Sequence, residues 1–241
     1  MKKTIIILST IALIVSCGHA TAKHENEKLP DVESIDISEL LGKEKEFFGM
    51  IGDDVQKMGI VFLSTTRISE TEYEVIGKSK VKNNICDFKG VIETQYVVES
   101  DLDEEYREVG YADGKVIGKY RFYEDKNQTH TGIFEGNFEI YWVYQDDNTI
   151  GLADLWYTVS DYNAIFNGEW RNYQTGSIKK ACWSNYRGCY PRSFRSDGPD
   201  VIPPTEYRSK GWFEVDMFSS DEEKRAIAEK EWCENWLDWW K

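Results

Sequence analysis

The chain has 241 residues, 43 acidic and 29 basic, and a formal charge of −14 at pH 7. That balance argues against a nucleic-acid partner, whose binders carry basic patches to neutralise phosphates, and against electrostatic adhesion to anionic lipid. The length suits one domain with a full core, or one domain with an appended helix.

The chain opens with Lys2 and Lys3, followed by an apolar and small-residue run from Thr4 to Val15 and then Ser16-Cys17-Gly18. The run is shorter than the ~20 residues a spanning helix needs and has the layout of a secretory signal peptide. A cysteine set after a small residue at the end of such a run resembles the lipobox of bacterial lipoproteins. There the thiol is acylated and cleavage leaves the cysteine first. The resemblance implies a signal peptide over 1–17, lipidation of Cys17, and a membrane partner reached through the lipid anchor. It also implies the cell envelope of a Gram-negative bacterium, at the outer membrane. Several acyl chains on one residue would hold firmly, since each buried methylene adds about 0.8 kcal/mol. An ordinary signal peptide cut near Ala20-Thr21-Ala22 is the alternative, and it would discard Cys17. Residues 18–30 are polar and aperiodic and read as a flexible tether, leaving 31–241 as one β-rich domain. Losing Lys2 and Lys3 leaves 27 basic residues against 43 acidic, a balance of −16.

Four cysteines remain, an even number for an oxidising compartment. Cys182 and Cys189 are close enough for a local bridge, and Cys86 with Cys233 would tie a strand to the last helix. That is one of three connectivities open to four cysteines. Zinc is disfavoured, because a C-x₆-C spacing is not a finger pattern and His19, His24 and His130 lie elsewhere. No metal and no cofactor are implied.

Along the chain, Leu29 to Gly59 reads as helical: Leu40, Leu41, Phe47, Phe48 and Ile51 share one helical face, Gly42 and Gly49 weaken the run, and Ser38 is a candidate N-cap. The middle alternates with period two. Cys86, Phe88, Gly90, Ile92, Thr94, Tyr96 and Val98 form one face, and an acidic turn follows at Glu99–Glu105. Asp113-Gly114 between 109–111 and 116–123 reads as a hairpin turn. Phe134, Gly136, Phe138, Ile140 and Trp142 alternate again, up to a polar turn at Asp146-Asp147-Asn148. A further hairpin joins 165–173 to 177–183 through Gln174-Thr175-Gly176. The expected fold is mainly β (α+β), an antiparallel meander in a barrel, sandwich or curved sheet, with a short helical N-terminal segment.

Phe134-Glu135-Gly136-Asn137-Phe138 is echoed by Phe166-Asn167-Gly168-Glu169-Trp170. The pattern resembles the core of MORN-like hairpin repeats. Two copies make no solenoid, and the preferred reading is two strands of one sheet using glycine where backbones approach closely. From Tyr190 to Gly211 a proline-rich stretch reads as a long loop. The capping box Ser220-Asp221-Glu222-Glu223 then starts a C-terminal helix over 220–240. Its Trp232, Trp236 and Trp240 share a face, expected to pack on the sheet.

No hydrolase, zincin, P-loop or dinucleotide fingerprint is present. One segment departs from the acidic balance. Between Gly168 and Trp212, eight basic residues face four acidic ones and alternate with aromatics. Arginine with Tyr and Trp is the composition of interface hot spots, so Arg171, Trp183, Tyr186, Arg187, Tyr190, Arg192 and Arg195 form the candidate binding surface. The other reading makes the aromatics core and the cations partners of nearby acids. The stretch from Phe166 to Arg187, F-x-G-x-W-x-x-Y-x-T-G-x-x-K-x-C-x-W-x-x-Y-R, resembles uncharacterised Gram-negative envelope proteins. That implies shared architecture and no activity. The leading expectation is a membrane-anchored binding or scaffold module for a protein or glycan. The alternatives are an inhibitor or immunity protein against a basic toxin, steered by its acidic charge, and a carboxylate-based envelope hydrolase.

Overall fold

The computed structural model describes residues 29–42, 45–108, 111–155, 160–195, 202–217 and 219–241. The expected signal peptide, Cys17 and most of the expected tether lie outside the described residues.

Nine strands form one antiparallel sheet: β1 (Lys45–Ile51), β2 (Gln56–Arg67), β3 (Glu72–Val81), β4 (Asn84–Glu99), β5 (Gly114–Glu124), β6 (Gly132–Tyr144), β7 (Ile150–Leu152), β8 (Ala164–Asn172) and β9 (Ile178–Ser184). Their order is β5-β4-β3-β2-β1-β9-β8-β6-β7, and a β5–β6 pairing closes the ring. Eight strands therefore make an up-and-down barrel with no open edge, which removes the unpaired edges an open sheet would carry. The short β7 extends β6 outside it.

An eight-stranded barrel encloses just enough space for its own side chains or one small ligand. Here aromatic side chains fill the middle. Phe47, Phe62, Phe88, Tyr120, Phe122, Phe134, Phe138, Phe166 and Trp183 are all buried, and Phe166 stacks on Trp183 with centroids 5.5 Å apart. Such ring pairs add about 0.5–1.5 kcal/mol each beyond the area they bury. Strands can bend around this core because inward positions on β1, β3, β4, β5, β6 and β8 are glycine. At Gly168 a Cβ would stand 2.1 Å from the Glu135 carbonyl oxygen and 2.7 Å from the Gly136 Cα. The sequence echo has the same cause. Gly136 pairs with Gly168, Phe134 with Trp170 and Phe138 with Phe166, so the two copies are antiparallel neighbours around one close approach.

The N-terminal segment plugs one end of the barrel. A 3₁₀ turn at Val32–Ser34 leads into α1 (Ile37–Leu41), and Ile35, Ile37, Leu40 and Leu41 join the barrel core at 3% exposure or less. The Tyr73 hydroxyl donates to the Ile35 carbonyl at 3.0 Å, and Arg67 to that of Glu33 at 2.6 Å. Residues 45–51 and 56–59, expected as helix, are strands. Phe47 and Ile51 point into the barrel, while Phe48 points out beneath two tryptophans. A strand covered on both faces loses its alternation, and the apolar spacing then mimics a helix. The helix that does form ends at Gly42, with φ +64°, and its N-cap is Asp36, which accepts from the Ser38 amide at 2.9 Å.

The period-two pattern of β4 holds from Cys86 to Thr94. A bulge between Thr94 and Tyr96 then leaves Tyr96 half exposed. The Asp113-Gly114 hairpin is not formed: α2 (Glu104–Glu108) lies in the β4–β5 connection and Tyr111 sits in a bend. Instead the Asp113 carboxylate accepts from the Tyr144 amide at 2.7 Å. The 165–173 and 177–183 hairpin forms as β8 and β9, turning through Gly176 at φ +68°.

The C-terminal segment clasps the outer wall. A 3₁₀ helix at Thr205–Lys210 and α3 (Glu214–Met217) precede α4 (Glu222–Asn235). Asp221, one residue beyond the expected Ser220, is the α4 N-cap and accepts from Glu223 and Lys224. The helix ends before 236, and residues 236–240 form turns. Lys57, fully buried on the outside of β2, is ringed by Phe48, Trp212, Trp232 and Trp236 at 4.3–5.4 Å. Gly59 leaves room for the Trp236 and Trp239 rings, 3.0 and 3.1 Å from where its Cβ would stand. Among the described residues no helix is long and apolar enough to cross a membrane.

Candidate functional site at the open end of the barrel

The end opposite the plug is open. Four turns surround it: 52–55, 82–83, 125–131 and 173–177. Between them lies a hollow of about 440 Å³, lined by Ile51, Val81, Phe134 and Trp170 below and by polar groups from all four turns. Barrel mouths are a preferred place for small ligands, and the volume falls at the lower end of the range such sites span.

Glu124 is its buried acid, at 5% exposure. It is the last residue of β5, and strand parity turns it inward. Its Oε1 accepts from the Ser79 hydroxyl of β3. Its Oε2 accepts from the Gly132 amide of β6 at 2.8 Å and the Trp170 indole of β8 at 2.9 Å. One carboxyl thus ties together strands from three sides of the rim. Burial pushes its pKa up, and the three donors oppose that rise without cancelling it. A carboxylate offers about four acceptor positions, so one on Oε1 is left.

Gln56, at 4% exposure, starts β2 and also lines the hollow. Its amide nitrogen donates to the Lys210 carbonyl at 2.6 Å, whereas its Oε1 has no partner among the described residues. Lys82, His130 and Lys179 stand on the rim. Asp54 is held by Lys210 at 2.7 Å, and that hydrogen bond lowers its pKa.

The arginine and aromatic segment is distributed differently. Trp183 is inside the barrel, fully buried. Arg187 and Arg195 both pair with Asp161, the former at 2.8 Å, and Arg195 also donates to the carbonyls of Arg187, Gly188 and Tyr190. Tyr190 and Phe194 pack against Trp212 with centroids 4.9 and 5.1 Å apart. Tyr186 is half-buried. Only Arg171, 3.7 Å from Glu135 on the outer wall, and Arg192 stand exposed. These side chains hold a loop together, and they do not converge on one surface.

The Cys182–Cys189 bridge is present, with Cα atoms 5.4 Å apart. Cys86 and Cys233 are both free thiols, which corrects the second pairing. Cys86 faces into the barrel, burial pushing its pKa up to about 12, whereas Cys233 is exposed on a helix that lies against the outer wall. The barrel wall separates them.

The mouth went unread in the sequence because its residues come from eight strands and four turns. The signal that could have found Glu124 is a carboxylate at an inward strand position. No family model, curated protein or solved structure matches the chain.

Proposed function

We propose that the chain is an envelope lipoprotein, anchored through Cys17, that binds a small ligand in the open end of its barrel. The observation that supports this is the 440 Å³ hollow with an aromatic floor and a buried carboxyl, at the end of a barrel whose middle is filled by aromatic side chains. Plugging one end and leaving polar turns at the other is the arrangement a binding vessel needs. The site moves from the arginine segment to the mouth because Arg187 and Arg195 are already engaged by Asp161. A carboxylate-based hydrolase pairs an acid of raised pKa with a second, ionised carboxylate that is free to act on the substrate or on water. At the mouth the second acid, Asp54, is instead engaged by Lys210 at 2.7 Å.

The test is to purify the full chain from membranes and identify the small molecules released on denaturation. Ser177→Trp, which places an indole in the hollow, is expected to abolish the co-purified molecule, while Arg192→Glu retains it. Loss with Arg192→Glu and retention with Ser177→Trp would return the site to the arginine segment. Cys17→Ser is expected to move the protein to the soluble envelope fraction, and continued membrane partition would remove the anchor.

A further inference from the structure

We propose that the occupant of the mouth is a neutral, hydroxyl-rich ring: a saccharide unit, free or at the end of a chain. The inference rests on the mouth being the binding site and adds the chemistry of the ligand. Three observations lead to it.

The first concerns donors and acceptors. The polar positions left without a partner in the wall of the hollow are acceptors: the Gln56 Oε1, itself buried and without a partner among the described residues, and the remaining position on the Glu124 Oε1. The Glu124 Oε2 is already filled by Gly132 and Trp170. A ligand reaching these atoms must bring hydroxyl or N–H donors. A purely apolar ligand would leave the Gln56 oxygen buried and unsatisfied, which buried polar groups avoid.

The second concerns charge. An anion entering the hollow would meet the Glu124 carboxyl at its floor and approach a chain of charge −14. A cation would have to pass Lys82 and Lys179 at the rim. Of the acids in the turns, the one that lines the hollow, Asp54, is held by Lys210. A neutral ligand meets neither obstacle.

The third is shape. The floor is aromatic and aliphatic, from Phe134, Trp170, Ile51 and Val81, while the rim carries Asn84, Asn172, Thr175 and Ser177. A sugar ring has an apolar face and a polar circumference, and it matches both. Behind Phe134 stand the buried Trp183 and Phe166 rings, in the space that a long acyl chain would have to enter.

The experiment is calorimetric titration of the full chain, in a detergent without a sugar headgroup, against five probes. These are glucose, N-acetylglucosamine, a chitin trisaccharide, hexanoate and benzamidine. The expected result is binding of the sugars and not of the two charged probes. A trisaccharide that binds as the monosaccharide does indicates a free unit or chain end, and tighter binding indicates a chain lying across the rim; both support the inference. Gln56→Leu is expected to weaken sugar binding at least fivefold. Gln56→Glu, which keeps the acceptor and loses the donor to Lys210, is expected to change it less than threefold; equal losses in both variants would overturn the acceptor role. If hexanoate or benzamidine binds instead, and Ser177→Trp abolishes that binding, the mouth stands and the saccharide inference falls. If no probe binds and no small molecule co-purifies, both fall together.

Discussion

The two ends of this chain are attached to one barrel by different physics. The N-terminal segment enters the barrel and is held by apolar burial, with Ile35, Ile37, Leu40 and Leu41 nearly inaccessible. The C-terminal segment stays outside and is held at a few points. Its helix α4 buries only Ala228, while tryptophans close on Lys57, and Lys80 lies beneath Trp236 and donates to the Asn235 carbonyl. Cation–π contacts of this kind contribute about 0.5–1 kcal/mol when exposed and about 2 when desolvated. The plug is therefore expected to unfold with the barrel, and the clasp to open as a local attachment while the barrel stays folded.

The largest expected effect separates these two behaviours. Trp236→Ala removes a side chain at 2% exposure that touches Phe48, Lys57 and Lys80. Truncating a buried tryptophan costs about 3–5 kcal/mol, and here the cost falls on the clasp. Limited proteolysis is expected to cut near α4 while the urea midpoint of the barrel moves little. A large shift of the main transition would show that clasp and barrel unfold together.

Leu40→Ala is the counterpart, at about 2–5 kcal/mol. Because Leu40 belongs to the barrel core, its loss is expected to lower the urea midpoint of the whole molecule, with no early cleavage of the N-terminal segment. Cleavage ahead of unfolding would make the plug a local element too. Between plug and clasp stands the Cys182–Cys189 bridge, closing a loop with sequence separation 7. Replacing both cysteines with alanine is expected to cost about 2–3 kcal/mol on the loop-entropy account, read in the main transition, since Cys182 belongs to β9.

How much of this could be read from the sequence follows from the same contrast. Strands with one face in the core and one in water announced themselves, as from Cys86 to Thr94, and the mainly antiparallel β fold followed. The 165–183 hairpin was legible through Gly176. β1 was not, because the C-terminal tryptophans cover its outer face and erase the alternation that marks a strand. The Asp113-Gly114 turn misled because its side chain serves the Tyr144 amide. The mouth was illegible for a topological reason. Gln56, Ser79, Glu124 and Trp170 are far apart in sequence, and only closure of the barrel brings them together.

The smallest expected effect tests the charge sensitivity of the clasp. Glu46, on the outer face of β1, accepts from the Trp239 indole at 2.7 Å. Burial raises its pKa from 4.5 to about 7; the Trp239 hydrogen bond opposes the rise, Asp238 adds to it and Lys57 opposes it. With the clasp open, Glu46 returns toward its ordinary value. The closed state then binds the proton more tightly, so its extra stability is complete below about pH 4.5 and is lost as the pH rises through about 7. A fully enclosed group with such a shift would contribute about 3 kcal/mol. Glu46 is only partly enclosed, and screening by water reduces the figure to about 1 kcal/mol. Protection of the α4 region from protease is therefore expected to fall between pH 5 and pH 8. Glu46→Gln keeps an acceptor for Trp239 and is expected to flatten that dependence. Asp238→Asn, which removes a charge that raises the Glu46 pKa, is expected to move the loss to lower pH. The same slope in wild type and Glu46→Gln would place the titrating group elsewhere.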